Sequence, residues 1–127
     1  ENAEIPGFYP AIVAEKARTI GPLIQGTFAE AYKSGVKIGF GTDAGVFPHG
    51  KNAREFELMV GGGMKPMEAI KAATSINAGI LQNEKLGAVQ TGGYADIVAV
   101  KGDPLKDIKV LQDVKFVMKA GAVYKSE

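Results

Sequence analysis

The order of the helix and strand patterns in the sequence predicts an α/β fold. A helical pattern of apolar residues precedes residues 36–40, a short run that is rich in β-forming residues and bounded by glycines, as strands are. Further helical patterns follow, and the order helix–strand–helix is typical of an α/β barrel or a doubly wound sheet. The alternating apolar residues of the strand need neighbours on both sides. Because a single strand closes neither architecture, we interpret the chain as part of a larger fold.

The composition is that of a globular protein and restricts its chemistry. Of the 127 residues, 46% are hydrophobic and 23% are charged, which is outside the disordered class. The net charge is +1 and the lysines are scattered, so we expect no nucleic acid and no anionic membrane as partner. No apolar run approaches the ~20 residues of a membrane-spanning helix. With no cysteine and one histidine, the chain cannot alone supply a typical zinc site.

The first helical region is predicted in two parts. Residues 11–19 form the first part, and Pro22 suits the first position of the second. Apolar side chains then recur at helical spacing as far as Tyr32. Gly35 is expected in the left-handed conformation that ends many helices.

Two more helices are predicted after the strand. Asn52 begins the first of them, and Glu55, three residues on, completes a capping box. The glycines at residues 61–63 are expected to end this helix. Pro66 opens the next helix, which is expected to run to about Ala73. Thr74 or Ser75 is expected to cap a further turn that reaches Leu81.

The pattern changes near Glu84, and after it only strands and turns are predicted. Residues 97–100 are a continuous apolar run, as found in buried strands. Residues 114–119 and 122–125 are predicted to pair as a hairpin around a tight turn at residues 120–121.

The candidate site lies in the loop at residues 41–50, directly after the predicted strand. Asp43 stands at the carboxyl end of that strand, where α/β barrels and open α/β sheets place their ligands. Its small neighbours leave room for a metal ion or a substrate, but aspartate is equally a common turn residue. Spacing alone leaves both interpretations open. His49 lies in the same loop, although a lone histidine is more often a surface residue than a ligand.

Two other functions remain open at this level. Residues 39–41 begin like a dinucleotide-binding fingerprint, but the third glycine stands at 45 instead of 44 and no helix follows at once. One alternative is therefore a non-enzymatic α/β module that binds a nucleotide or phosphate through Gly39 to Gly45. The other is a structural domain that pairs with another chain through open sheet edges.

The order and spacing of several runs resemble the metal-dependent amidohydrolase superfamily. The subgroup that they resemble is related to imidazolonepropionase and includes Xaa-Pro dipeptidases and arginine- or lysine-directed dipeptidases. The run GVKIGFGTDAG at residues 35–45 resembles the eighth barrel strand and the loop after it. The other matching positions are residues 49–50, 52, 55–59, 63–70, 72–74, 78, 86–89, 92, 95–100, 103–105 and 117–121.

This resemblance implies both a fold and an activity. Residues 1–84 would be the C-terminal part of a (β/α)₈ TIM barrel, and residues 85–127 the C-terminal strands of a composite β-sandwich. The full-length protein would be a metal-dependent hydrolase of C–N (amide or peptide) bonds that acts on a dipeptide or another small molecule. Asp43 would bind a divalent metal, usually zinc, and accept the proton of the attacking water. His49 and Asn52 match a loop near the substrate.

The same resemblance implies that much of the site is absent from this chain. The family's paired histidines after strand one, its bridging lysine or glutamate and two further histidines have no counterpart here. We therefore expect the isolated chain to be inactive. It should also expose apolar surface and open strand edges, so we expect it to self-associate or to pair with the missing N-terminal barrel half.

Overall fold

The computed structural model describes residues 2–45 and 48–127. The chain divides into two compact units, Glu1–Val36 and Lys37–Glu127, and each is described by itself. Among the described helices, none combines the length and the apolar composition needed to cross a membrane.

The first unit contains a short 3₁₀ helix, Asn2–Glu4, and one long helix, α1, Ala11–Lys33. The predicted interruption at Pro22 is wrong, because α1 continues through it. A proline inside a helix removes one backbone donor and crowds the preceding turn, at a cost of about 3 kcal/mol. Helix α1 tolerates this cost because several turns of regular helix flank Pro22 on each side.

The predicted end of α1 is confirmed. Gly35 has φ +78°, a left-handed conformation that glycine adopts without steric cost. The Gly35 N–H donates to the Tyr32 carbonyl at 3.0 Å, and the Val36 N–H donates to the Ala31 carbonyl at 3.1 Å. These two bonds are those of a Schellman motif, which satisfies the last carbonyls of a helix.

The second unit begins at Lys37, within the residues predicted as a strand, and that prediction is wrong within this chain. Residues 36–40 pair with no strand in the part of the chain that the structure describes. A strand exists only beside a neighbour that completes its hydrogen bonds, and here helical residues bond to the backbone of Phe40 instead. The Phe40 N–H donates to the Ala72 carbonyl at 3.2 Å, and the Phe40 carbonyl accepts from Asn77 Nδ2 at 2.8 Å.

The helices of this unit are α2, Arg54–Gly61, and a longer run that starts with α3, Pro66–Lys71. Glycines end α2 as predicted, and Pro66 occupies the first turn of α3 as predicted. The predicted break after Ala73 is wrong, because a π-helical turn, Ala72–Ile76, joins α3 to α4, Asn77–Ile80. The predicted extension to Leu81 is confirmed, since Leu81 is the C-cap of α4. A π turn inside a helix widens it locally and is often associated with a functional site.

A three-stranded antiparallel sheet follows, in the order β1–β2–β3. Its strands are β1, Ile97–Val100, β2, Val114–Lys119, and β3, Ala122–Ser126, so the predicted strands and hairpin are confirmed. Ala120 and Gly121 have φ +50° and +81°. Two successive positive φ angles in a two-residue loop are those of a type I′ turn, whose twist matches that of the strands it joins.

Two details of this tail differ from the prediction. Strand β1 is not buried, since Val98 is 61% exposed, because the described residues do not cover that face of the sheet. The tail also contains a 3₁₀ helix, Ile108–Gln112, which begins where the Asp107 carboxylate accepts from the Lys109 N–H at 3.0 Å. This is local capping chemistry.

The core of the described chain is small. Among the described residues, no large side chain is fully buried, whereas a well-packed domain buries many of its large apolar residues. Large apolar residues are exposed instead, including Ile12 at 71%, Leu81 at 67% and Val89 at 84%. The predicted exposure of apolar surface is therefore confirmed. The buried residues are Ala3, Ala14, Met59, Met64, Ala69, Ala72, Ala78 and Ile108.

Gly87 gives a test of the packing against the π turn. A Cβ at Gly87 would lie 2.7 Å from the Thr74 carbonyl oxygen and 2.8 Å from the Ala78 Cβ, and its φ is +79°. Gly92 has φ +81° but open space around it, so it is a matched control for the backbone strain alone. We expect Gly87→Ala to lower the free energy of unfolding by about 2 kcal/mol more than Gly92→Ala does. Equal losses in urea denaturation would contradict this packing.

Glu57 connects α2 to the 3₁₀ helix of the tail. Gln112 Nε2 donates to its carboxylate at 3.1 Å, and the Lys109 ammonium lies 3.3 Å from it. Both contacts keep the pKa of the Glu57 carboxyl below its ordinary value, and the hydrogen bond from Gln112 has the larger effect. A carboxyl whose pKa is lower in the folded state stabilises the fold above its unfolded pKa, and this contribution is lost as the pH falls through the folded pKa.

The stability difference between the wild type and Glu57→Gln should therefore depend on pH. We expect the wild type to be the more stable above about pH 4.3, the ordinary pKa of a glutamate. This advantage should shrink as the pH falls below that value, because the carboxylate becomes protonated. Urea denaturation at a series of pH values measures it, with Glu84→Gln as the control. An advantage that does not change across this range would show that the Glu57 contacts do not form in solution.

Candidate functional site

The helices of the second unit hold the segment that leads to Asp43. The aromatic rings of Phe40 and Phe56 pack with their centroids 4.4 Å apart, which joins the segment to α2. Gly39 lies against the helical run, since a Cβ there would be 2.5 Å from Asn77 Oδ1 and 2.6 Å from Ile80 Cδ1. Only a glycine permits this approach without moving both side chains. Sequence reasoning missed Asn77, because its bond to Phe40 joins residues far apart in the chain.

Glu55 binds the two residues that precede Asp43. One carboxylate oxygen accepts from the Gly41 N–H at 3.3 Å, and the other accepts a short hydrogen bond from the Thr42 hydroxyl. Glu55 lies in the first turn of α2 and is half-buried. A carboxylate is acceptor-only, and its hydrogen bonds are stronger than those of a neutral acceptor. The sequence pattern assigned Glu55 to a capping box and did not indicate this contact.

The predicted capping box at the start of α2 is wrong. Helix α2 begins at Arg54, and its cap position, Ala53, makes no side-chain cap bond. The Asn52 side chain accepts from the Gly50 N–H at 3.1 Å instead. The capping prediction is wrong because the Glu55 carboxylate accepts hydrogen bonds from Gly41 and Thr42, the residues after the predicted strand. A tertiary contact has replaced the local one that the spacing predicts.

Asp43 itself has a left-handed backbone, with φ +47°, and its side chain is exposed. This conformation costs an L-residue about 1 kcal/mol, although aspartate adopts it more readily than most. A hydrogen bond to a charged group contributes about 1.5 kcal/mol or more. Two such bonds, which Glu55 accepts from Gly41 and Thr42, stabilise the two residues directly before Asp43. The Asp43 carboxylate is therefore exposed to solvent, and the backbone that carries it is restricted.

The other predicted site residues lie in the turn before α2. His49 is exposed, and Asn52 is half-buried with its amide oxygen bonded to Gly50. The Asn52 carbonyl also lies 3.5 Å from the Thr42 hydroxyl, which ties this turn to the Asp43 segment. Val46 and Phe47, part of the predicted loop, lie outside the described residues. The roles predicted for Asp43, His49 and Asn52 stay predictions.

The described residues do not form a metal site by themselves. Within residues 2–45 and 48–127, no three His, Cys, Asp or Glu side chains are grouped so that they could hold a metal ion. Asp43 fits the role of one ligand, because its carboxylate is exposed and its neighbours are small. Zinc sites use three or four protein ligands, so the others would have to come from outside the described residues.

The geometry is less suited to a phosphate group. In the part of the chain that the structure describes, the first helix after the glycines of residues 39–45 is α2, which begins only at Arg54. The Gly41 N–H already donates to the Glu55 carboxylate, and that negative charge would repel a phosphate at the same place. The arrangement favours the carboxylate of Asp43 as the centre of the site.

Comparison with known proteins identifies the family. The model of the amidohydrolase family matches residues 24–124. The ochratoxinase of Aspergillus niger is 43% identical over 102 residues, which cover 75% of this chain and 21% of that enzyme. The chain thus spans about a fifth of the length of this relative.

Solved structures agree with that comparison. A Xaa-Pro dipeptidase with methionine in its active site has a TM-score of 0.90 and 49% identity, over 98% of this chain and 31% of that one. A putative prolidase from Bifidobacterium longum has a TM-score of 0.83 and 30% identity, over 94% of this chain and 31% of that one. The match covers less than a third of each of these larger proteins. By sequence and by structure, this chain belongs to the amidohydrolase family.

Proposed function

We propose that this chain is the C-terminal part of a metal-dependent hydrolase of C–N bonds, with a dipeptide or a similar amide as substrate. Membership of the amidohydrolase family and the similarity to a Xaa-Pro dipeptidase support the proposal. The observation that carries it is the exposed carboxylate of Asp43, which follows a segment that α2 and the helical run hold in place. The dipeptide or similar amide is the substrate that we propose for the full-length enzyme.

The proposed setting is a (β/α)₈ barrel that other parts of the polypeptide complete. Residues 36–40 would be its eighth strand, and their lack of a strand partner among the described residues supports this placement. The backbone of Phe40 already bonds to the helical run. Residues 85–127 would contribute their three strands to a small sandwich, and the exposed Val98 on β1 supports the presence of a covering layer.

In this setting the Asp43 carboxylate would be one ligand of a divalent metal ion, most simply zinc. Such an ion lowers the pKa of water and polarises a carbonyl group. Asp43 would accept the proton of the attacking water and pass it to the leaving amine, as a positioned carboxylate can. Its exposed side chain and small neighbours leave room for both partners.

Asn52 and His49 would contact the substrate from the turn before α2. The amide oxygen of Asn52 is bonded to the Gly50 N–H, so its amide nitrogen is the group that would donate to a substrate carboxylate. His49 is exposed in the same turn. We propose that both side chains bind substrate and that Asp43 transfers the proton.

The exposed apolar residues support a large partner surface. Ile12, Leu23 and Ile24 of α1 are each more than 60% exposed, and contiguous apolar surface is typical of an interface. The partner that we propose is the N-terminal barrel half of the same protein. Without it, open strand edges and apolar side chains would lead the chain to self-associate.

Asp43→Asn in the full-length enzyme tests the proposed role directly. We expect kcat/KM on a Xaa-Pro dipeptide to fall by a factor of about 10² or more, because an amide cannot accept the proton. Metal content, measured by elemental mass spectrometry, should fall as well. Asp96→Asn is a matched control, because Asp96 accepts from the Ala120 N–H at the hairpin and has no part in the proposed site. Unchanged turnover in Asp43→Asn would exclude the proposed function.

The isolated chain should neither hold metal nor hydrolyse a dipeptide, because within residues 2–45 and 48–127 no three possible ligands are grouped around one point. Elemental mass spectrometry and a dipeptidase assay measure both properties, and light scattering measures the expected self-association. A compact monomer with tightly bound zinc would contradict this part of the proposal.

A further inference from the structure

We propose that Glu55 is a positioning residue for Asp43. Glu55 acts through the two residues that precede Asp43. The inference rests on the proposed function of Asp43 as metal ligand and proton acceptor. It adds a residue that would not touch metal, substrate or the reacting atoms. Glu55 would set where the Asp43 carboxylate points.

The contacts of Glu55 are suited to this role. Its two oxygens accept from two consecutive residues, one through the backbone N–H of Gly41 and one through the hydroxyl of Thr42. Two bonds to one planar carboxylate restrict both the rotation of the peptide and the side chain of Thr42. Asp43 follows at once with φ +47°, a conformation that persists where the surroundings restrict the backbone.

Helix α2 is a firm support for Glu55. Met59 of the same helix is only 5% exposed, and the Phe56 ring packs on Phe40 at 4.4 Å between centroids. The helix is therefore fixed to the segment that Glu55 binds. A group that orients a metal ligand changes metal affinity typically by a factor of about 10 to 100 when it is removed.

Thr42 has a second acceptor within reach, which determines the choice of variants. Its hydroxyl lies 3.5 Å from the Asn52 carbonyl, so a glutamine at position 55 could donate to the Thr42 oxygen while the hydroxyl turns to Asn52. Glu55→Gln would then retain part of the contact. Glu55→Ala removes it, and Thr42→Val removes only the hydroxyl at nearly the same shape.

Glu57 provides the matched control for Glu55. Both are half-buried glutamates of α2, but the Glu57 carboxylate binds Gln112 and Lys109 in the tail. Glu57→Ala therefore removes a carboxylate with two contacts from the same helix and leaves the Asp43 segment untouched. A loss that both alanine variants share reflects helix stability alone.

The experiment uses the full-length enzyme that contains this chain, loaded with zinc. Zinc affinity is measured by competition with a chelator, and kcat and KM are measured separately on a Xaa-Pro dipeptide. We expect Glu55→Ala and Thr42→Val to weaken zinc binding at least about tenfold and to lower kcat more than they raise KM. Thr42→Ser keeps the hydroxyl and should restore zinc affinity to near the wild-type value, whereas Glu57→Ala should not change it.

The outcomes of this experiment distinguish the role of Glu55 from the proposed function of Asp43, on which it rests. If Asp43→Asn weakens zinc binding while Glu55→Ala behaves like Glu57→Ala, Glu55 is not a positioning residue and the proposed function stands. If Asp43→Asn retains zinc and turnover, the proposed function and this inference are both overturned. If Glu55→Ala does not fold, Thr42→Val and Thr42→Ser decide, because equal zinc affinity in these two variants would overturn the inference.

Discussion

The hydrogen bonds from helices to residues 40–42 are the interaction on which the candidate site depends. This segment has no strand beside it in the described chain, so its polar groups require other partners. Ala72 and Asn77 satisfy the backbone of Phe40, and the Glu55 carboxylate satisfies the donors that follow. Asp43 comes next, in a left-handed backbone conformation.

The second constraint on the molecule is its small core. The buried positions of the helical run, Ala69, Ala72 and Ala78, are small residues, which allow close approach but bury little apolar area. The larger side chains, such as Leu81 and Val89, remain exposed. Their exposure is physically consistent with a chain that covers less than a third of the solved family members it matches. In the proposed full-length enzyme, the rest of the barrel would bury them.

Local chemistry explains where sequence-based prediction was successful. The left-handed glycine at the end of α1, the glycines after α2 and the proline at the start of α3 were each assigned from the conformations that these residues favour. The β2–β3 hairpin follows from two short runs of strand-forming residues on either side of a two-residue turn. Each of these features depends on neighbours within a few residues, so the sequence contains the information needed to predict them.

Prediction failed where another contribution outweighed the signal of one or two residues. Pro22 suggests a helix start, but regular helix on both sides outweighs the bond it removes. The spacing of Asn52 and Glu55 suggests a capping box, but the donors of Gly41 and Thr42 bind the Glu55 carboxylate instead. The burial of β1 also depends on what covers the sheet, which no local pattern contains.

The turns, most helix ends, the hairpin and the choice of Asp43 as the candidate residue can be read from the sequence. These follow from backbone preferences and from the position of a carboxylate directly after an apolar run. The bonds of Phe40 to the helical run and of Glu55 to the residues before Asp43 are visible only in the folded chain. The physical reason is that a hydrogen bond between residues distant in sequence depends on which groups the fold brings within about 3 Å, and spacing along the chain does not specify that.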